Sequence, residues 1–77
     1  MFDRKTNAML ILGLLNDAYG DVRTMIHYLN DFRLSHSEME ELKEFELDKI
    51  IDKAIELQNS ILKSMEKVKV EIYKKGD

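Results

Sequence analysis

Apolar residues recur through the first third of the chain at alternating steps of three and four: Ala8, Ile11, Leu15, Ala18, Val22, Met25, Leu29 and Phe32. That spacing predicts a helix with a heptad seam. A flanking row, Leu12, Tyr19 and Ile26, widens the seam into the apolar face of a bundle helix. Gly20-Asp21 reads as a stop followed by a new N-cap, yet the seam keeps its phase through it. Two helices joined by a turn would hold phase only by chance, so one helix is expected over about residues 3–33. Gly13 and Gly20 cost such a helix about 1 kcal/mol each relative to alanine. Seven residues apart, they either admit a close neighbour or simply weaken it.

The period breaks at Leu34-Ser35-His36-Ser37. Ser35 with Glu38, and Ser37 with Glu40, both have the spacing of a capping box, in which hydroxyl and carboxylate satisfy orphan amides. A second helix is expected over about residues 38–74. Its main stripe is Ile50, Ala54, Leu57, Ile61, Met65, Val68 and Ile72, flanked by Leu47, Ile51, Ile55 and Leu62. Those steps average nearer 3.67 than 3.5 residues, which predicts a straight or slightly right-handed rod. Met39, Leu42 and Phe45 are out of phase with it at 100° per residue. They require a bend near Phe45 or a second contact. Gly76, after Lys74 and Lys75, suits a C′ position.

The expected fold is therefore all-α: a single domain over 1–77, an antiparallel hairpin of two long helices. Two rods side by side cover only part of each stripe. The first helix is apolar on nearly every face between Met9 and Leu15, so dimerisation into a four-helix bundle is expected. The rival is insertion into a groove on another protein. The residues expected at an oligomer or partner interface are Met9, Leu10, Leu12, Leu14, Leu15 and Tyr19, with Met39, Leu42 and Phe45. Length and composition point the same way. Seventy-seven residues without cysteine cannot be stapled by disulfides, and two histidines leave structural zinc short of ligands. Association is the remaining staple.

With 44 % apolar and 35 % charged residues and no proline, the chain has neither disordered nor membrane-spanning character. The start, Met1-Phe2-Asp3-Arg4-Lys5, lacks signal-peptide character and Ala8–Leu15 is too short to span a bilayer, so a cytoplasmic protein is expected. A net charge of −3 argues against nucleic acid as partner. The charge is unevenly spread. Residues 38–56 hold eight acids against three lysines, whereas residues 57–77 hold five lysines against three acids. Antiparallel pairing of two copies would set the acidic stretch against the basic one.

Candidate chemistry is sparse. On a continuous second helix Glu41, Glu44, Asp48 and Asp52 fall within about 80° of one another and make an acidic face. A solvated face is the expected reading, because the Glu-x-x-Glu half-motif of helical pyrophosphohydrolases lacks its second half here. His27 and Asp31 are spaced as a surface pair, and zinc needs at least three protein ligands. No hydroxyl has a base and oxyanion donors at recognisable spacing, and there is no glycine-rich phosphate loop. No catalytic residue, metal ligand or cofactor is assigned.

Leu34-Ser35 followed by Glu46-Leu47-Asp48-Lys49-Ile50-Ile51 resembles the Spo0E-type aspartyl-phosphate phosphatases, small helical hairpins acting on response regulators. The likeness covers about fifteen residues. Glu44 stands where that family has serine, and the spacing from Leu34 is one residue too long. The resemblance implies a phosphatase role for Asp48. The leading expectation remains a non-enzymatic, homo-oligomeric adaptor or inhibitor that acts by binding another protein.

Overall fold

Asp3 starts the first helix. Its carboxylate accepts the Thr6 N–H at 2.7 Å, satisfying one orphan amide, and that bond holds the carboxyl below its ordinary value. The computed structural model describes residues 3–74. Helix α1 runs unbroken over Arg4–Ser35. It passes through Gly20 as the heptad phase requires, and the Thr24 hydroxyl donates to the Gly20 carbonyl at 3.0 Å. At its end the His36 N–H donates to the Phe32 carbonyl at 3.0 Å, and the two rings stack with centroids 4.2 Å apart.

The connection departs from expectation. Ser35 is the last residue of α1, so its hydroxyl sits at a helix C-terminus and cannot serve a capping box. Nor does Ser37 cap: the short helix α2, Glu41–Glu44, begins at Glu40 without a side-chain cap bond. The turn is closed by the Met39 N–H donating to the His36 carbonyl at 2.9 Å.

The second long helix is also shorter than expected. It is not one rod over 38–74. Helix α3 spans Leu47–Tyr73, and Phe45 and Glu46 separate it from α2. Glu46 adopts the left-handed conformation, φ 58° and ψ 39°, which separates α2 from α3. The phase conflict at Met39, Leu42 and Phe45 has this physical outcome: the helix breaks. Leu42 becomes half-buried while Phe45 stays 70 % exposed. The expected C′ residue, Gly76, lies outside the described residues; α3 ends at Lys74, whose backbone is extended.

Helices α1 and α3 pack antiparallel as a hairpin. Ion pairs bridge the two helices at both ends: Arg33 donates to Asp48 at 3.2 Å near the turn, and Arg4 pairs with Glu71 at the open end. The inward residues of α1 are Ala8, Leu12, Leu15, Tyr19, Val22, Ile26 and Leu29; those of α3 are Leu47, Ile51, Ala54, Gln58, Ile61, Met65, Val68 and Ile72. All are buried or half-buried. Both rows step by four and three, so α3 shares the heptad repeat of α1 and not the longer period expected for it. Relative to the expected seams, each helix is rotated. Ile11, Met25 and Phe32 in α1, and Ile50 and Leu57 in α3, lie exposed beside the contact. In α1 the row containing Leu12 was as apolar as the row containing Ile11, and α3 can cover only one of them. Among the described residues there is no strand.

Candidate protein-interaction surface

A hairpin of two rods has little interior. Among the described residues six apolar side chains are buried, against sixteen large apolar or aromatic ones that are exposed. The molecule measures 59 × 18 × 15 Å, with a radius of gyration of 17.4 Å, where a compact chain of this length has about 11.5 Å. Its accessible surface is 6439 Å², and a compact monomer of this mass exposes about 4,900 Å². The excess follows from the elongated shape, which leaves flanks of both helices open.

Inward positions recur in each heptad as a pair four residues apart, for example Ala8 with Leu12 and Leu47 with Ile51. At 100° per residue, the position three after the first member falls on one flank, and the position one after it on the other. Because the helices run antiparallel and face each other, equal offsets on α1 and α3 reach the same side of the hairpin. One side therefore carries Ile11, Ala18, Met25 and Phe32 from α1, beside Ile50, Leu57, Ser64 and Glu71 from α3. The other carries Met9, Asn16, Arg23 and Asn30, beside Asp48, Ile55, Leu62 and Lys69. Two open grooves at the free end agree with this division. One is lined by Ala8, Ile11, Val68 and Glu71, the other by Met9, Asn16, Met65 and Lys69.

The two sides differ in character. The Ile11 side is apolar at six of its eight positions, on both helices. The Met9 side is apolar at three, two of them on α3. Ile11, Met25, Phe32, Ile50 and Leu57 are all 41–49 % exposed, shielded on one edge by the hairpin contact and open on the other. Ile55 and Leu62 on the Met9 side, each 39 % exposed, are in the same state, so it is the number and spread of apolar positions that sets the Ile11 side apart.

The residues expected at an interface divide accordingly. Leu12, Leu15 and Tyr19 are half-buried in the contact with α3, while Met9, Leu10 and Leu14 remain exposed on α1. Met39 and Phe45 are exposed around the turn, with Leu42 half-buried between them. Sequence reasoning placed Ile11, Met25, Phe32, Ile50 and Leu57 inside the hairpin, and they form its apolar flank. Their heptad spacing marked them as seam residues. It could not say which seam.

The residues of the expected acidic face are divided between two helices. Glu41 and Glu44 lie on α2, Asp48 and Asp52 on α3, and the left-handed turn at Glu46 separates the two pairs. Among the described residues no three His, Asp or Glu side chains converge closely enough to hold a metal. Asp48 is engaged by Arg33 beside a shallow groove that Met39, Leu42 and Lys43 also line. His36 is stacked on Phe32, with a ring nitrogen 3.1 Å from the Phe32 carbonyl, and so belongs to the helix end. Of the carboxylates at the free end, Glu71 is held below its ordinary value by its hydrogen bond from Arg4. No helix among the described residues is long and apolar enough to cross a membrane.

Fold and surface together define an antiparallel helical hairpin with one unpartnered apolar side. The chain belongs to the same family as an uncharacterized protein of Archaeoglobus fulgidus, with which it is 44 % identical over 68 residues, covering 87 % of this chain and 90 % of the relative. No family model and no solved structure matches it.

Proposed function

We propose that this protein is a small, non-enzymatic interaction module, a homo-oligomeric helical adaptor or inhibitor that works by binding another protein in the cytoplasm. One observation carries the reading: the continuous apolar side formed by Ile11, Ala18, Met25, Phe32, Ile50 and Leu57, which the hairpin cannot cover by itself. Exposed Phe45 and half-shielded Met39 at the turn supply a further apolar patch suited to a protein partner. In-cell crosslinking from a photoreactive residue at Phe45, followed by reconstitution with the purified partner, tests the reading. A defined stoichiometric complex supports it; crosslinks to solvent only would remove it.

A second reading keeps the resemblance to hairpin phosphatases. It is favoured by the placement of Asp48, exposed at the first turn of α3 next to the interhelical connection. Accelerated loss of phosphate from a phosphorylated response regulator, abolished by Asp48→Ala, would support that reading. An unchanged decay rate would eliminate it.

A further inference from the structure

The charges of the folded hairpin are divided between its ends. Around the turn, residues 28–52 hold eight acidic and three basic side chains, a net −5. At the free end, residues 3–14 and 63–74 hold six basic and three acidic ones, a net +3. The long axis, 59 Å, keeps these regions several screening lengths apart within one molecule. A second copy laid on the Ile11 side with its turn at the opposite end places each acidic region beside a basic one. With both turns at the same end, like charges meet instead.

We infer that the Ile11 side is covered by a second copy of this chain, related by a two-fold axis perpendicular to the helices, so that the two turns lie at opposite ends of a four-helix bundle. The inference rests on reading the protein as an interaction module and names the occupant of its apolar side. In this arrangement α1 lies against α1 of the partner copy, and α3 against α3, each antiparallel. Ile11 then meets Phe32 of the other copy, and Ala18 meets Met25, the small residue against a long flexible one. Both pairings centre α1 between Asp21 and Val22.

The position of the axis along α3 follows from a separate observation. The ion pairs between positions 4 and 71 and between positions 33 and 48 bracket the register of the hairpin. Taken between them, residue 57 lies within about three residues of the level of 21 and 22. Leu57 therefore lies close to the axis and to its own copy, and Ile50 lies toward Ser64. The axis that centres the apolar row of α1 thus passes close to Leu57, with Ile50 set against the small hydroxyl of Ser64. The molecule exposes roughly 1,500 Å² more than a compact monomer of its mass, against the roughly 800 Å² per partner that a specific dimer buries. The Met9 side lacks such a centre, because Asn16, Arg23 and Asn30 interrupt it. One contact opposes the arrangement: Asp21 falls nearest the axis and faces its own copy.

The natural chain has no cysteine, so a spin label attached through Ser37→Cys in the full-length protein reads the arrangement directly. With the axis level with residues 21–22, the two labels stand about 45 Å apart at 1.5 Å per residue. A distance of about 20 Å, the scale of neighbouring helices, would place the turns together and overturn the arrangement while leaving self-association intact. Absence of dipolar coupling at micromolar concentrations, with a monomer mass by sedimentation, overturns the inference outright; binding to a different protein is then judged by the crosslinking experiment alone. Leu57→Glu weakens the dimer at least about tenfold by burying a charge at the axis, whereas Ile55→Glu, on the other side, leaves its dissociation constant unchanged. Equal weakening by both variants would place the contact elsewhere. Asp21→Asn tightens the dimer, and added salt loosens it. The opposite sign in both measurements would overturn the opposed orientation. The label distance decides even if Leu57→Glu prevents folding.

Discussion

Arg33, near the end of α1, donates to Asp48, in the first turn of α3, at 3.2 Å and so closes the hairpin across the connection. Both side chains are largely solvated, and a pair of this kind contributes little energy. Its importance is geometric. With Arg4–Glu71 at the other end, it bridges helices whose inward rows, Ala8, Leu12 and Leu15 on α1 and Ile61, Met65 and Ile72 on α3, are buried or half-buried. Arg33→Ala should therefore lower unfolding free energy in urea by only about 0.2–1 kcal/mol. A loss several times larger would mean that this contact, and not the apolar register, holds the hairpin together.

Ile50 and Ile51 are adjacent isoleucines in different environments. Ile51 is 2 % exposed in the hairpin contact and Ile50 is 48 % exposed beside it. Ile51→Ala should cost about 2–4 kcal/mol at any protein concentration, measured by chemical denaturation. Ile50→Ala should cost much less in dilute solution, and its effect should grow with protein concentration as the flank becomes covered. Equal costs at all concentrations would show that the flank stays uncovered.

Gly13 and Gly20 are both mid-helix, and a β-carbon added to either meets no heavy atom within 4 Å. Gly13→Ala and Gly20→Ala should each raise stability by about 0.5–1 kcal/mol through helix propensity. The Asn16 side, on which these glycines fall, stays open when a second copy covers the Ile11 side, so the gain should persist at high concentration. Destabilisation that appears only on association would show that another helix approaches the glycines closely.

Glu46 is a non-glycine residue at positive φ among the described residues. Glu46→Gly should relieve that strain and raise thermal stability by the equivalent of about 0.5–1 kcal/mol, net of the lost exposed pair with Lys49. Glu46→Val should lower it, because a β-branched residue tolerates the left-handed region poorly.

The hairpin should weaken in acid, and the sign follows from Asp3 and Glu71. Both carboxyls are lowered in the folded protein, Asp3 chiefly by the Thr6 amide and Glu71 chiefly by Arg4. A lowered folded value means that the unfolded chain takes up protons first. The stabilisation is present above the ordinary values of 3.8 and 4.5 and is lost as pH falls through the lower folded ones. Thermal melts between pH 6 and 2, compared with those of Asp3→Asn and Glu71→Gln, should show less acid sensitivity in the variants.

Periodicity along the chain was sufficient for two conclusions. It established that this is an all-α chain of two long amphipathic segments, and that the first runs unbroken through Gly20, because a seam at steps of three and four survives only if the backbone continues through the glycine. It also showed that Met39, Leu42 and Phe45 cannot share a straight helix with Ile61 and Met65. Local pattern did not say how that conflict resolves. A bend and a break have the same spacing, and the left-handed turn at Glu46 carries no glycine to announce it. The capping box at Ser35 failed because α1 extends to that residue, and the one at Ser37 because the next helix starts only after Glu40. Above all, only the tertiary structure decided which rows face inward. In α1 the rows containing Ile11 and Leu12 are both apolar, so one helix read alone offers two equivalent faces. The choice belongs to the pair of helices, whose shared register buries Leu12 and Tyr19 and leaves Ile11, Met25 and Phe32 outside, aligned with Ile50 and Leu57.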